Sequence, residues 1–244
     1  MKKIALITSL LFFTCSPAFS SAIISGIGAQ EINIDSKFTG AEVLLFGAKG
    51  DAGNVIVTVR GPKKNYILNK KDKWFGIWYN KDRLKFKDAY SYYAFFSSNQ
   101  EQKISAELLS QLEIGQDSLE FNTDDKTLND SEFKIEFINK LEKKELYLNK
   151  PGGIDFLNDT LFKVMLKFPK NISQGTYIVD IYLIDEDRIA AFQAIPIYVN
   201  QTGFSAEVNQ FAYNNSIVYG IIAILIAVVA GFVANYIFNK LTHK

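Results

Sequence analysis

Two stretches decide the fold class: Tyr-Ile-Val-Asp-Ile-Tyr-Leu-Ile at residues 177–184 and Ala-Ala-Phe-Gln-Ala-Ile-Pro-Ile-Tyr-Val at residues 190–199. Both runs are rich in β-branched and aromatic residues, which favour strands. Asp185-Glu186-Asp187 separates them, and short acidic side chains are typical of turns. The triplet lacks the spaced oxygen ligands of a calcium loop, so we interpret it as a solvated turn. This stretch therefore predicts an antiparallel β-hairpin.

Further strands are predicted on the N-terminal side of this hairpin. Short apolar or alternating runs occur between Gly, Asn and Asp turns. The predicted strands are 31–35, 41–46, 55–59, 66–68, 74–79, 90–96 and 161–168. Because strands and helices do not alternate regularly, the expected class is mainly β, an antiparallel sandwich-like region of one or two subdomains.

Two short segments change from strand to helical periodicity. Within 102–114 and after residue 131, apolar residues recur three and four positions apart, as on one face of a helix. The first set is Ile104, Leu108, Leu109 and Leu112, and the second is Phe133, Phe137, Ile138 and Leu141. A polar run at 121–131 lies between them, and we place a boundary there. The predicted subdomains are 23–120 and 121–206.

The two ends of the chain predict export and anchoring. Residues 1–22 combine two lysines, a short apolar stretch and small residues, the pattern of a cleaved signal peptide. Residues 217–238 carry no charge and are long enough to span a bilayer. Residues 207–216 are then a membrane-proximal linker and 239–244 a cytoplasmic tail. Lysines in this tail favour a single-pass orientation with the N-terminal domain outside the cytoplasm.

The predicted span carries small residues at spacings of three and four. Small side chains allow two helices to approach closely in lipid, so this stripe predicts either self-association or packing against a membrane protein partner. The stripe consists of Gly220, Ala223, Ala227, Ala230, Gly231 and Ala234. Frequent Ala and Gly in any spanning helix is the alternative explanation.

Composition argues against the commonest catalytic machinery. The chain has one Cys, Cys15 in the predicted signal, and one His, His243 in the predicted tail. The exported part therefore lacks the residues of a Ser-His-Asp or Cys-His site and the usual zinc ligands. We predict no catalytic residues, no metal, no cofactor and no enzymatic activity. A carboxylate-based hydrolase remains a less favoured alternative.

Charge is unevenly distributed along the exported part. Without Lys2, Lys3, Lys240 and Lys244, 23 basic and 26 acidic residues remain, a net charge of −3, which argues against a nucleic-acid partner. Residues 60–87 nevertheless hold ten basic and two acidic residues, beside both Trp residues of the chain. This segment predicts a surface for an anionic ligand, although solvated lysines and core aromatics are the favoured explanation. The candidate binding residues are Arg60, Lys71, Lys73, Trp74, Trp78 and Asn80.

Several short motifs, read in order, resemble a family of putative transmembrane proteins of Alphaproteobacteria. They include Phe38-Thr39-Gly40, Val59-Arg60-Gly61-Pro62, Gly76-Ile77-Trp78-Tyr79-Asn80, Gly175-Thr176-Tyr177 and Gly203-Phe204. Gln116 stands where the family often has Leu. The resemblance implies a bacterial inner-membrane protein with a periplasmic domain and one C-terminal span. It implies no reaction, substrate or cofactor.

Two functions of different classes fit these observations. The first is a membrane-anchored periplasmic accessory protein that supports a membrane partner such as a transporter. The second is an anchored binding module for envelope glycan or another anionic ligand. The lipid bilayer is a partner in both.

Overall fold

The structure, a computed structural model, describes residues 23–50, 53–75, 77–98, 104–124 and 131–242. The predicted signal peptide, 1–22, lies outside the described residues. In chain order the strands are β1 Ile23–Ile27, β2 Glu31–Ile34, β3 Gly40–Lys49, β4 Asn54–Arg60, β5 Lys63–Trp74, β6 Ile77–Tyr90, β7 Tyr93–Ser97, β8 Asn122–Thr123, β9 Gly152–Gly153, β10 Asp155–Phe156, β11 Leu161–Pro169, β12 Gly175–Asp185 and β13 Arg188–Gln201. The helices are α1 Ala106–Gln111, α2 Ser131–Glu142, α3 Phe204–Asn214 and α4 Ser216–Thr242.

Two sheets form a sandwich. Sheet 1 has the order β1-β3-β11-β10 and is antiparallel throughout. Sheet 2 has the order β2-β13-β12-β4-β7-β9, with parallel pairs only at its two ends, β2 with β13 and β9 with β7. The predicted mainly β class, with an apolar C-terminal helix, is confirmed.

The core lies between the two sheets because the facing strands alternate apolar and exposed residues. In β11 the buried side chains are Phe162, Val164, Leu166 and Phe168, and the residues between them are exposed. Period-two alternation directs one set of side chains inward. Across the core, the ring centroid of Phe168 lies 5.7 Å from that of Tyr177 in β12.

The predicted hairpin at 177–199 is confirmed as β12 and β13. Asp185 pairs with Arg188, so Glu186 and Asp187 alone form the turn. Both turn residues have positive φ, 43° and 63°, as a two-residue turn matching the strand twist requires.

Helix α1 covers the outer face of sheet 2. The predicted apolar face, Ile104, Leu108, Leu109 and Leu112, packs against a small cluster made by Ile56, Ile114, Tyr182 and Ile184. Six of the seven residues of β4 are consequently buried, because this strand is covered on both sides. The sequence prediction of this helix is confirmed, although the regular helix is only six residues long.

Strands β5, β6 and β8 form a third sheet, which helix α2 covers. The predicted apolar face of α2 is buried, and Phe137 stacks on Phe86 of β6 with ring centroids 4.3 Å apart. The strand predicted at 74–79 is wrong. β5 ends at Trp74 and β6 begins at Ile77, with Phe75 in a turn at φ 46°. The alternating aromatics therefore lie at the end of a long hairpin.

Both halves of the β-rich region contribute to the same core. Both sheets contain strands from each side of the predicted boundary at 120/121. One buried cluster extends from Ile32 to Val199 and includes residues of both halves. The boundary therefore falls in a connecting segment and does not separate two cores.

Two helices follow the last strand. The predicted membrane-proximal linker, 207–216, is largely helical, since α3 runs from Phe204 to Asn214. Helix α4 then begins at Ser216, one residue before the predicted span. Among the described residues, the segment Ser216–Asn239 alone is long and apolar enough to cross a membrane, with a mean hydropathy of 2.8.

Candidate functional site

The structure brings most of the predicted ligand-binding residues together at the far end of the β5–β6 hairpin. Lys71 pairs across the hairpin with Asn80, and Lys73 pairs with Trp78. Trp74 precedes the turn, where Phe75 is 88% exposed. The side chains of the five predicted residues in this region lie outside what the structure describes, so their binding role stays a prediction.

Arg60 does not belong to this group. It ends β4 at the opposite end of the hairpin, and its side chain is 12% exposed. One terminal nitrogen of the guanidinium group donates to the carboxylate of Asp180 in β12. The second terminal nitrogen donates to the backbone oxygen of Leu112, after α1. Arg60 therefore links sheet 2 to the helix that covers it, and its donors are directed away from solvent.

A network of tyrosines continues from Arg60. The hydroxyl of Tyr90 donates to Glu113 at 2.8 Å, and that of Tyr93 donates to the Glu113 backbone oxygen at 2.8 Å. Burial, reinforced by the bond to Glu113, raises the pKa of Tyr90 to about 12. Burial also raises the pKa of Asp180, and the nearby Arg60 partly offsets that shift. At neutral pH these tyrosines are protonated donors that hold the α1 region on the sheet, and they do not act as bases.

A further cavity in the described part of the chain lies elsewhere, beside the open edge of β11. It has a volume of about 760 Å³. Tyr92, Ala94 and Phe96, with Phe168 from β11, provide its apolar wall. Its polar lining includes three carboxylates and one ammonium: Glu42, Glu142, Glu145 and Lys167.

The charges of this cavity are only partly balanced. The ammonium nitrogen of Lys167 lies 3.6 Å from a carboxylate oxygen of Glu42, and both side chains are largely exposed. In the part of the chain that the structure describes, Glu142 and Glu145 form no ion pair. The cavity thus combines an apolar wall with surplus negative charge, a combination suited to a ligand with apolar and basic groups.

Sequence reasoning missed this cavity. Its residues come from β3, from β7 and the residue before it, from the end of α2 and the segment after it, and from β11, which are far apart in the chain. The strand predicted at 161–168 is confirmed as β11, but a strand prediction does not indicate which edge remains unpaired. Only the sheet order shows that the edge of β11 faces this space.

The small residues predicted for helix packing lie on one side of α4. At about 100° per residue, Gly220, Ala223, Ala227, Ala230, Gly231 and Ala234 fall within about 100° of the helix circumference. None of the most apolar stretch of α4 is buried against the β-rich domain. This side of the helix is therefore available for packing within a bilayer, although no other described helix lies there.

Comparisons with known proteins agree with the anchor. No curated protein and no solved structure matches the chain. One family model, described as "Putative transmembrane protein (Alph_Pro_TM)", matches residues 22–240, which include the whole β-rich domain and nearly all of α4. By this match, the chain belongs to that family of transmembrane proteins.

Proposed function

We propose that the protein is a non-enzymatic accessory protein of the bacterial inner membrane, which holds its β-rich domain in the periplasm beside a membrane protein partner. In this proposal residues 1–22 direct export and are removed, α4 spans the membrane, and the C-terminus is cytoplasmic. The supporting observation is the geometry of α4, which is apolar on all sides, exposed along its apolar stretch and small on one side. Small residues permit close helix packing, which drives association in lipid.

Substitutions on the small side of α4 test the proposed association. Ala227→Leu with Gly231→Leu adds two large side chains to the stripe, and we expect the partner to be lost on purification in mild detergent. Ile222→Phe with Val229→Phe adds the same number of side-chain carbon atoms on the opposite side of the helix and should retain it. Native mass spectrometry of both variants measures the stoichiometry. Unchanged co-purification of the first variant would refute packing through this stripe.

The orientation requires a separate measurement. In a Cys15→Ser background, a cysteine replacing the 67% exposed Leu157 should react with a membrane-impermeant maleimide in intact spheroplasts. A cysteine replacing Lys244 should react only after permeabilisation. The reverse pattern would place the β-rich domain in the cytoplasm and contradict the proposal.

The register of the β5–β6 hairpin favours a second candidate function, binding of an anionic envelope polymer. Lys71, Lys73, Trp78 and Asn80 occupy neighbouring cross-strand positions, next to the exposed Phe75. Arrays of lysine beside aromatic rings attract and stack on anionic, ring-containing polymers.

Charge reversal distinguishes this role from a general effect of charge. Lys71→Glu with Lys73→Glu should abolish salt-sensitive binding of a purified anionic envelope polysaccharide to the full-length protein. Lys163→Glu with Lys167→Glu makes the same charge change on sheet 1 and should leave that binding intact. Equal loss in both variants would indicate a non-specific field and would remove the hairpin as a site.

A further inference from the structure

The edge of β11 is open beside the cavity lined by Tyr92, Ala94 and Phe96. β10 pairs only with Phe162 and Lys163, so no other described strand covers the edge from Val164 to Phe168. Five residues of strand extend about 17 Å. An uncovered edge presents backbone donors and acceptors that pair readily with an added strand.

The direction of each backbone group follows from the hydrogen bonds around β11. The amide of Lys49 in β3 donates to Thr160, so even-numbered residues of this strand bond to β3. The amide of Leu157 donates to Leu161, so odd-numbered residues face the opposite edge. The N–H and C=O of Met165 therefore face the cavity side, and no described residue bonds to them.

One neighbouring backbone group on this edge is already satisfied by a side chain. The backbone oxygen of Lys167 accepts a 2.7 Å hydrogen bond from the hydroxyl of Tyr92. Burial raises the pKa of Tyr92 well above its ordinary value, so this hydroxyl stays a donor. The bond caps one end of the open edge and leaves Met165 at its centre.

The charges select the kind of strand that fits. The cavity contains Glu142 and Glu145 without an ion pair in the described chain, whereas Lys167 is already 3.6 Å from Glu42. A second copy of β11 centred on Met165 would place Lys163 opposite the Lys167 of its partner, which is destabilising. A strand with a basic residue beside the two glutamates suffers no such repulsion.

We propose that the edge of β11 binds an extended segment of a partner protein as an additional strand of sheet 1. The segment places apolar side chains against Tyr92, Ala94 and Phe96 and a basic residue beside Glu142 and Glu145. Main-chain hydrogen bonds to Met165 supply affinity, and the apolar wall and the carboxylates supply specificity. This inference is independent of the proposed membrane association, because it uses only the β-rich domain.

A labelled peptide tests the proposal with the full-length protein in phosphatidylcholine nanodiscs. The probe is Lys-Val-Thr-Val-Thr-Val-Thr, compared with the same peptide beginning in Glu and with one whose alternate backbone nitrogens are methylated. We expect fluorescence anisotropy to show binding of the Lys peptide, at least about fivefold weaker binding of the Glu peptide, and none of the methylated peptide. Hydrogen exchange should show protection of the Met165 amide when the Lys peptide is bound.

Variants of the protein separate backbone pairing from side-chain contact. Met165→Pro removes the free N–H without removing a bond to β3, and should weaken binding at least about tenfold. Met165→Thr keeps the N–H and should bind within about threefold of the original protein. Glu142→Gln with Glu145→Gln should remove the preference for the Lys peptide over the Glu peptide.

Each opposing result overturns the proposal. Equal binding of the methylated and unmethylated peptides to the unchanged protein would exclude strand addition, even if Met165→Pro does not fold. Failure of every peptide to bind at about 1 mM would do the same. Tighter binding of a peptide that copies residues 161–169 would assign the edge to a second copy of this chain.

Discussion

Replacement of Arg60 by Met is the sharpest test of how this fold is held together. The change preserves an unbranched side chain but removes the guanidinium group that bonds to Asp180 and to the backbone of Leu112. The Asp180 side chain is only 10% exposed, and its strand is paired on both sides. A carboxylate left there is largely shielded from water and loses its charged partner. Breaking such a buried pair costs about 3–5 kcal/mol of folding free energy at neutral pH.

The loss of stability should depend on pH with a definite sign. Burial raises the pKa of Asp180, and Arg60 offsets part of this rise, so removing Arg60 raises the pKa further. A group whose folded pKa exceeds its unfolded value stabilises the fold below the unfolded pKa, about 3.9 for Asp. That contribution is lost as the pH rises through the folded pKa. The deficit of Arg60→Met should therefore be smallest near pH 4 and should grow toward pH 7.

Urea unfolding of the full-length protein in a zwitterionic detergent, followed by far-UV circular dichroism, measures both effects. Lys167→Met is the matched control, because its partner Glu42 is exposed and such pairs contribute less than about 1 kcal/mol. Arg60→Met with Asp180→Leu removes both charges and should restore stability to within about 1 kcal/mol. The reasoning fails if Arg60→Met and Lys167→Met lose equal stability, or if the deficit of Arg60→Met is larger in acid.

Three further outcomes are expected in the same unfolding assay. Glu186→Asn should stabilise the protein by about 0.5–1 kcal/mol, because φ is 43° there and Asn tolerates that conformation better, and a loss would contradict this. Gly152→Ala should cost about 1–3 kcal/mol, since a Cβ would lie 2.1 Å from the Phe96 ring, whereas Gly153→Ala meets nothing within 4 Å and should change stability by less than about 0.5 kcal/mol. The stability contributed by neutral Tyr90, with its pKa raised to about 12, should be present below about pH 10 and lost as the pH rises toward 12, and a Tyr90→Phe variant that loses phenolate absorbance near pH 10 relative to the unchanged folded protein would refute this.

Local periodicity correctly predicted the elements whose pattern of buried and exposed side chains is visible in their own sequence. Residues 177–199 alternate around an acidic turn, and 133–141 place apolar residues at helical spacing, so each pattern has one natural interpretation. The segment 74–79 was misread because its aromatics alternate across a turn that begins at Phe75. A single Gly inside an aromatic run is a weak turn signal, and only the cross-strand register reveals the hairpin.

The candidate sites were harder to predict because they depend on pairings between distant strands. Arg60 was grouped with Lys71 and Lys73 because they are close in sequence, yet its partner Asp180 is 120 positions away. A strand's side-chain pattern identifies its buried face, whereas an open edge is a property of the sheet order. The cavity beside β11 is therefore visible only once β10 is seen to end after two pairs.

The connection between the β-rich domain and α4 restricts where the cavity beside β11 can lie relative to the apolar helix. Strand β13 ends at Gln201, and Gly203, at φ 85°, leads into α3. The amide of Asn215 donates to Phe211 and that of Tyr219 donates to Asn215, so hydrogen bonding continues from α3 into α4. About 16 Å of helix thus separates the last strand from the span, in place of a flexible linker. Since a helix bends at few points, reorientation of the domain concentrates at residues 202–203 and 215. A partner strand added to β11 would then be held in a restricted range of positions relative to the membrane, which favours a partner that is itself fixed there.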